Sequence, residues 1–337
     1  MINSYFCRLK PKEMNHLDQI RQPVADDLLR YKNLFDETLT HEDDFMGQVL
    51  SYVRSRQGKM MRPLLVLLVA KELGPVRIES LRAAVTLELL HTASLVHDDV
   101  VDESGERRGQ ASTNAVYGSK VAVLVGDYLL SKSLHLAALT GNISCVDIIA
   151  CLGGTLSEGE VFQLANIRNE ECSEEAYFHI IRNKTAALFA ACAELGAISA
   201  GGDEKFVCAA RKFGEIVGIC FQIRDDIFDY FDDPKIGKPT GSDMAEGKLT
   251  LPAIYALHTS NDPKLNELAT RIKCGDASQA EIESMIAISK ACGGIEYARK
   301  TMERYRTEAL KQLENFKNEE VKQALQNYLD FVIGRDL

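Results

Sequence analysis

Between Glu79 and Asp102, apolar residues recur at three- and four-residue steps (Leu81, Ala84, Val85, Leu89, Ala93, Val96, Val100), and the run ends in Asp98-Asp99-Val100-Val101-Asp102. That period belongs to an α-helix with a buried face. Such a helix needs other helices to cover its apolar stripe, yet it delivers a cluster of carboxylates at one end. The same period returns over Val121 to Leu139 and over Tyr177 to Ser199, the latter rich in alanine. Glycine and proline punctuate the chain at 58–63, 74–75, 105–109, 153–154, 201–202, 234–241 and 293–294. The intervals between them carry helical periodicity, and no alternating strand pattern persists. No internal repeat, low-complexity tract or interdomain linker interrupts this. The expectation is one all-α domain over residues 1–337, of which about the first 20 form an N-terminal extension.

Composition narrows the function classes. The 337 residues include 39 Lys+Arg and 49 Asp+Glu, a net charge of −10, and 46% are hydrophobic. That balance excludes a mostly disordered chain. A pI near 5.3 lacks the basic field that a phosphate backbone requires, so no nucleic-acid partner is expected. No stretch approaches the roughly 18–20 consecutive apolar residues of a membrane span. The N-terminal MINSYFCRLKPKEMNH has no apolar core of a signal peptide. Nine cysteines (7, 145, 151, 172, 192, 208, 220, 274 and 292) include no C-x-x-C pair. They suit reduced, mostly buried thiols in a cytoplasmic protein.

Two acidic clusters carry the chemistry. The first is Asp98, Asp99 and Asp102; the second is Asp225-Asp226-Ile227-Phe228-Asp229 within IVGICFQIRDDIFDYFDD. In each, the first and last Asp are four residues apart and share a helix face. One such cluster is readily a solvated helix end. Two copies embedded in apolar helix leave carboxylates that repel one another, and a hard divalent cation with oxygen ligands relieves that repulsion. Mg²⁺ held by a few carboxylates completes its shell with water and substrate phosphates. Basic groups stand where a phosphate substrate needs them. Lys59 and Arg62 lie in Gly58-Lys59-Met60-Met61-Arg62-Pro63, just before a buried helix whose N-terminus favours anions. Arg107 and Arg108 follow the first cluster by one turn, and Lys184-Thr185, Lys238 in GKPTGSD and Lys248 in EGKLTLP complete the set.

The joint occurrence of G-K-x-x-R-P, D-D-x-x-D-(x4)-R-R-G and F-Q-x-R-D-D-x-x-D resembles the trans-prenyltransferases, the polyprenyl diphosphate synthases of isoprenoid chain elongation. The resemblance runs from about residue 20 to the C-terminus. It implies an all-α fold of roughly a dozen helices around a central cavity, usually as a homodimer. It also implies addition of isopentenyl diphosphate to an allylic diphosphate such as farnesyl or geranyl diphosphate, with Mg²⁺, up to three ions when substrate is bound. By this resemblance the metal carboxylates are Asp98, Asp99 and Asp102 with Asp225, Asp226 and Asp229. Isopentenyl diphosphate is assigned to Lys59, Arg62, His91 and Arg108. The allylic partner falls to Arg107, Lys184, Thr185, Gln222 and Lys238, with Lys248 nearby. Asp98, Asp102, Asp225, Lys184 and Lys238 form the implied catalytic set. The departing diphosphate can accept the proton lost, so no protein base is required.

Gln57 and Met60 depart from the family pattern, where a second Gly and a basic residue are frequent, and Ser242 stands where a Lys often does. His97 reads as structural. A terpene cyclase shares the first motif, but its second metal motif mixes Asn, Ser or Thr with Glu. An HD-type phosphohydrolase, suggested by His97-Asp98, leaves the second cluster unexplained. A regulatory subunit of a heteromeric synthase tends to lose the acidic motifs, and here both are whole. Five and four residues before Asp98, Ala93 and Ser94 are small, where bulky aromatics in the family close the tunnel. The expected product is therefore long, beyond twenty carbons, and partitions to membranes. A short-chain (farnesyl or geranylgeranyl) product is the alternative.

Overall fold

The computed structural model describes residues 16–56, 58–107, 109–167, 172–232, 240–260 and 262–334. Gln57, Arg108, Lys238 and most of the N-terminal extension lie outside the described residues. The helices are, in order, α1 (His16–Arg21), α2 (Ala25–Thr38), α3 (Asp44–Ser55), α4 (Met61–Lys71), α5 (Ile78–Val101) and α6 (Thr113–Tyr117). There follow α7 (Ser119–Leu139), α8 (Ile143–Ile167), α9 (Glu174–Ile181), α10 (Ala187–Ser199) and α11 (Glu204–Phe228). The chain closes with α12 (Ser242–Ala245), α13 (Leu251–Ser260), α14 (Pro263–Lys273), α15 (Gln279–Ala291), α16 (Gly294–Gln312) and α17 (Glu319–Ile333). The fold is all-α. The departure among the described residues is a two-residue antiparallel pair, Glu106–Arg107 with Gln110–Ala111, in the turn after α5.

Local sequence explains where these helices begin. Asp43, Ser112, Ser173, Asp203 and Asn318 each accept a backbone N–H of the first turn, and Ser278 with Glu281 forms a reciprocal capping box. Gly201, at φ +86°, takes the left-handed conformation that ends α10. At the centre lies α4, in which every residue from Pro63 to Ala70 is buried. It is buried all round because α5 and α10 flank it, and α10 packs in turn along α11. Three glycines permit this closeness. A Cβ at Gly196 would meet the Val66 carbonyl oxygen at 2.6 Å, one at Gly214 the Phe189 carbonyl oxygen at 2.4 Å, and one at Gly218 the Ala186 Cα at 2.5 Å.

The buried apolar side chains fall into two clusters that both reach Tyr305: a larger one among α2, α4, α5, α7, α10 and α17, and a smaller one among α9, α11, α13, α15 and α16. Helix α7 packs along α5 through its buried face and leaves Leu124, on the other side, 67% exposed, while Ile143 at the start of α8 is 79% exposed. By length and composition α7 is apolar enough to cross a membrane, although the sequence shows no unbroken apolar run of that length; 39% of its apolar window is buried inside this fold.

Two readings of the sequence need correction. The Tyr177–Ser199 stretch is not one α-helix, because Arg182–Ala186 adopts a π-helical turn between α9 and α10. The cysteines are less buried than expected. Among the described residues all are free, and only Cys145, Cys192 and Cys220 are buried; Cys151, Cys208 and Cys274 face outward on helix surfaces or ends. Periodicity locates a helix face, but a cysteine fits either side of it.

Candidate active site

The two acidic clusters sit at the C-terminal ends of α5 and α11. Helix α5 ends at Val101, so Asp102 is its C-cap residue and is exposed; Asp229 caps α11 in the same way. Asp98 and Asp225 both line one cavity of about 910 Å³. That volume is near the top of the about 300–1,000 Å³ usual for small-molecule sites. At its polar end the cavity also meets Arg62, Arg107, Glu160, Lys184, Thr185 and Gln222. From there it follows α5 through Ser94 and Ala93 to Leu90, about 12 Å along the axis at 1.5 Å per residue. On the facing side α8 supplies Glu160, then Ser157, Gly154, Gly153 and Ala150 down to Ile149, and α7 adds Leu130 and Leu134. The charged end and the apolar, small-residue end are thus opposite ends of one space.

The six acidic residues do not stand alike. Burial raises the Asp98 carboxyl from 3.8 to about 6; Glu160 pushes it the same way, Lys184 and Arg107 oppose, and Asp102 adds to the rise. Asp99 turns away from this cavity. It is 1% exposed and accepts from Arg107 Nε at 2.5 Å. Asp226 is likewise buried, accepting from Tyr177 OH at 2.6 Å and from Gln222 Nε2 at 2.8 Å. Burial and then the like charge of Asp243 raise its carboxyl well above the ordinary range. Asp229 accepts the backbone N–H groups of Ser242 (2.9 Å) and Asp243 (3.1 Å) at the start of α12. The Ser242 that replaces a frequent Lys thus serves through its backbone. Among the described residues, no three His, Cys, Asp or Glu side chains converge closely enough to hold a metal by themselves.

The basic groups are placed by specific devices. Met60 sits at φ +55°, a left-handed conformation uncommon for a side-chain-bearing residue, and turns the chain sharply into α4. Arg62, in the first turn, lies over the Phe189 ring at 5.2 Å, its buried Nε without a hydrogen-bond partner. Lys59 is exposed and lines none of the three cavities described. His91 is 9% exposed and stands between the large cavity and a neighbouring one of about 190 Å³ that also meets Arg56, Gly58 and Arg107. The hairpin carrying Arg107 is pinned by Arg56, which donates to the carbonyls of Arg107 (3.2 Å) and Gln110 (3.0 Å). Lys184 and Thr185 come from the π turn, an irregularity frequent at functional sites. Lys184 Nζ meets Glu160 at 2.7 Å, and Thr185 donates to Gln222 at 2.7 Å. Lys248 lines a third cavity of about 160 Å³ together with Asp226, Asp243 and Tyr177.

Sequence reading missed Glu160, Tyr177 and Asp243. Glu158-Gly159-Glu160 within an apolar helix is the available signal for the first; nothing in the local pattern marks Tyr177. His97 also lines the large cavity; its ring lies where a Gly126 Cβ would be, with Nε2 3.2 Å from the Val123 carbonyl oxygen and 3.4 Å from Asp127 Oδ1.

Two acidic helix ends facing across a cavity, with arginine and lysine at the charged end and an apolar shaft beyond, define a class of protein that handles an anionic head on an apolar chain. Residues 43–289 match the polyprenyl synthetase family. The octaprenyl diphosphate synthase of Haemophilus influenzae is 35% identical over 94% of this chain and 96% of its own. A geranylgeranyl pyrophosphate synthase from Bacteroides thetaiotaomicron is 47% identical, covering 96% of this chain and 100% of that one at a TM-score of 0.84. A polyprenyl synthase from Caulobacter crescentus, solved with calcium and isoprenyl diphosphate, is 30% identical with a TM-score of 0.88, over 97% of this chain and 100% of its own. The chain belongs to the polyprenyl synthetase family. It is a chain-elongating prenyltransferase that uses isoprenyl diphosphate substrates.

Proposed function

We propose that this enzyme adds isopentenyl diphosphate repeatedly to an allylic diphosphate and releases a long-chain all-trans polyprenyl diphosphate. The observation that carries the reading is the cavity itself. Asp98 and Asp225 mark its charged end, and it runs at least about 12 Å along α5 to Leu90, with Leu130, Leu134 and Ile149 on its apolar wall. Ala93 and Ser94 leave the shaft between them open.

The donor set fits a hard divalent cation. Asp98 is a carboxylate whose ionised form is disfavoured by burial and by Glu160, with Lys184 and Arg107 only partly offsetting them. Asp98 and Asp225, with Asp102 beside the first, would hold Mg²⁺ together with substrate phosphate oxygens. Bound there, the cation supplies Lewis-acid charge to the departing diphosphate. The chain's own groups do the rest. Arg107 and Lys184 face the allylic diphosphate and bind it most strongly when ionisation gives it extra negative charge. Asp99 holds Arg107 in place, while Asp226 holds Gln222 and through it Thr185. Arg62 and His91 take isopentenyl diphosphate, with Lys59, exposed two residues before α4, as a further cation for it; its double bond attacks the allylic carbon. The apolar shaft keeps water from the cation on carbon.

A shorter product is the second reading, favoured by the 47% identity to a protein described as a geranylgeranyl pyrophosphate synthase. Incubation with farnesyl and isopentenyl diphosphates and Mg²⁺, followed by product sizing, separates the two: chains beyond C20 support the first, and a stop at C20 the second. Excess chelator should abolish condensation, and Asp98→Ala or Asp225→Ala should each lower turnover by about 10²-fold or more. Full activity in chelator would overturn the cation-dependent scheme.

A further inference from the structure

The second acidic cluster is preceded by an arginine that the scheme above does not use. Arg224 is 4% exposed. Its guanidinium lies over Phe221 at 5.2 Å and Phe228 at 5.4 Å, both on its own helix. Nη1 donates to the carbonyl oxygens of Phe331, at 3.5 Å, and Val332, in the last turn of α17. Nη2 donates to Asp225 Oδ1 at 3.0 Å. Arg224 does not line the large cavity, whereas Asp225, with its side chain 43% exposed, does.

Three physical points connect these contacts. Arginine remains charged at any working pH, so a guanidinium buried between rings needs permanent partners. The last-turn carbonyls of a helix lack intrahelical donors and form the negative end of its dipole, which makes the end of α17 a fitting anchor. Adjacent residues on a helix point in different directions and do not ordinarily meet. Here the guanidinium, held between the rings and the α17 carbonyls, reaches back to one oxygen of its neighbour.

We propose that Arg224 is a positioning residue: anchored by the C-terminal turn of α17, it holds Asp225 from behind and fixes how that carboxylate meets the cation-bound diphosphate. The inference rests on the reading that Asp225 serves that diphosphate. It places the orientation of a site carboxylate under the control of the last helix of the chain, 107 to 108 residues away in sequence.

The test compares full-length Arg224→Gln, Arg224→Lys, the double variant Phe331→Gly/Val332→Gly, which frays the last turn of α17, and Asp225→Ala. After folding is checked by circular dichroism and gel filtration, kcat, both KM values and the Mg²⁺ concentration for half-maximal rate are measured, together with calorimetric Mg²⁺-dependent binding of the allylic diphosphate alone, which needs no turnover and which Arg224→Gln should weaken. Arg224→Gln should lower kcat about tenfold and raise the Mg²⁺ requirement, the scale of one charge-assisted hydrogen bond, with KM for isopentenyl diphosphate nearly unchanged. Arg224→Lys should recover part of the loss. The glycine pair should reproduce the defect and add little to Arg224→Gln, since both break one coupled unit. A folded Arg224→Gln enzyme with wild-type kcat and Mg²⁺ response overturns the inference, as do fully additive effects. If Arg224→Gln does not fold, the glycine pair decides alone, and a wild-type Mg²⁺ response from it is a refutation. Wild-type turnover by Asp225→Ala would instead sink the functional reading beneath.

Discussion

Burial lifts the Asp98 carboxyl to about 6 from an ordinary 3.8, with Glu160 acting in the same direction. The sign of its effect on stability follows directly. A carboxyl raised in the folded state favours folding while protonated, and that contribution is lost as pH rises from the unfolded value through about 6. At neutral pH and without cation, Asp98 therefore weighs against the folded protein, in proportion to its incomplete exposure to screening water. The neutral isostere removes that burden. Metal-free Asp98→Asn should melt higher than the parent at pH 7.5, and the two melting temperatures should converge below about pH 4. Thermal denaturation in chelator at both values measures it; an unchanged or lower Tm at pH 7.5 contradicts the cause assigned to the shift. Arg107 and Asp99 show the complementary case at the same scale. Their contact at 2.5 Å pairs a buried carboxylate with a cation and fixes an arginine that lines the large cavity.

At the scale of elements, the site depends on how closely α10 and α11 approach. Helix α10 follows the π turn that carries Lys184 and Thr185, and it supplies Phe189 beneath Arg62. Helix α11 carries Gln222, Asp225 and Asp226. Gly214 sets the distance between them and Gly218 that from α11 to the π turn, because a Cβ at the first would meet the Phe189 carbonyl oxygen at 2.4 Å and one at the second the Ala186 Cα at 2.5 Å. Backbone does not yield as a flexible side chain does. Gly214→Ala is expected to cost about 1–3 kcal/mol despite alanine's better helix propensity. Urea denaturation of the two proteins measures this, and a stability equal to or above the parent's would show that the helices can separate freely.

For the whole molecule, the decisive property is the length of the apolar shaft. Ala93 is 2% exposed, belongs to the main core and lines the cavity five residues before Asp98. A phenylalanine there must enter either the shaft or packed core, and packed core does not absorb a ring without strain. Ala93→Phe should therefore shift products toward about the C15–C20 class while leaving condensation intact, as the first addition occurs at the charged end. Thin-layer or mass analysis of the products decides; an unchanged distribution from an active, folded variant would mean that the growing chain runs elsewhere.

The helical period around Leu81 to Val100, the two aspartate clusters and the basic segments were enough to read the all-α class, the acidic helix ends and the phosphate chemistry, because a helix face and a charge pattern are local properties of the chain. Local pattern also indicated Ala93 and Ser94 as small residues beside the first cluster. The division of labour among the six aspartates was not legible. Asp98 and Asp99 are neighbours of one type, yet one lines the cavity and the other is buried against Arg107, a distinction set by which way α5 faces its neighbours. The π turn beneath Lys184, the Thr185–Gln222–Asp226–Tyr177 chain and the anchor between Arg224 and the end of α17 join residues from different parts of the chain. Such contacts exist only after distant helices have packed, and packing, not spacing along the sequence, decided which carboxylates are left lining the cavity.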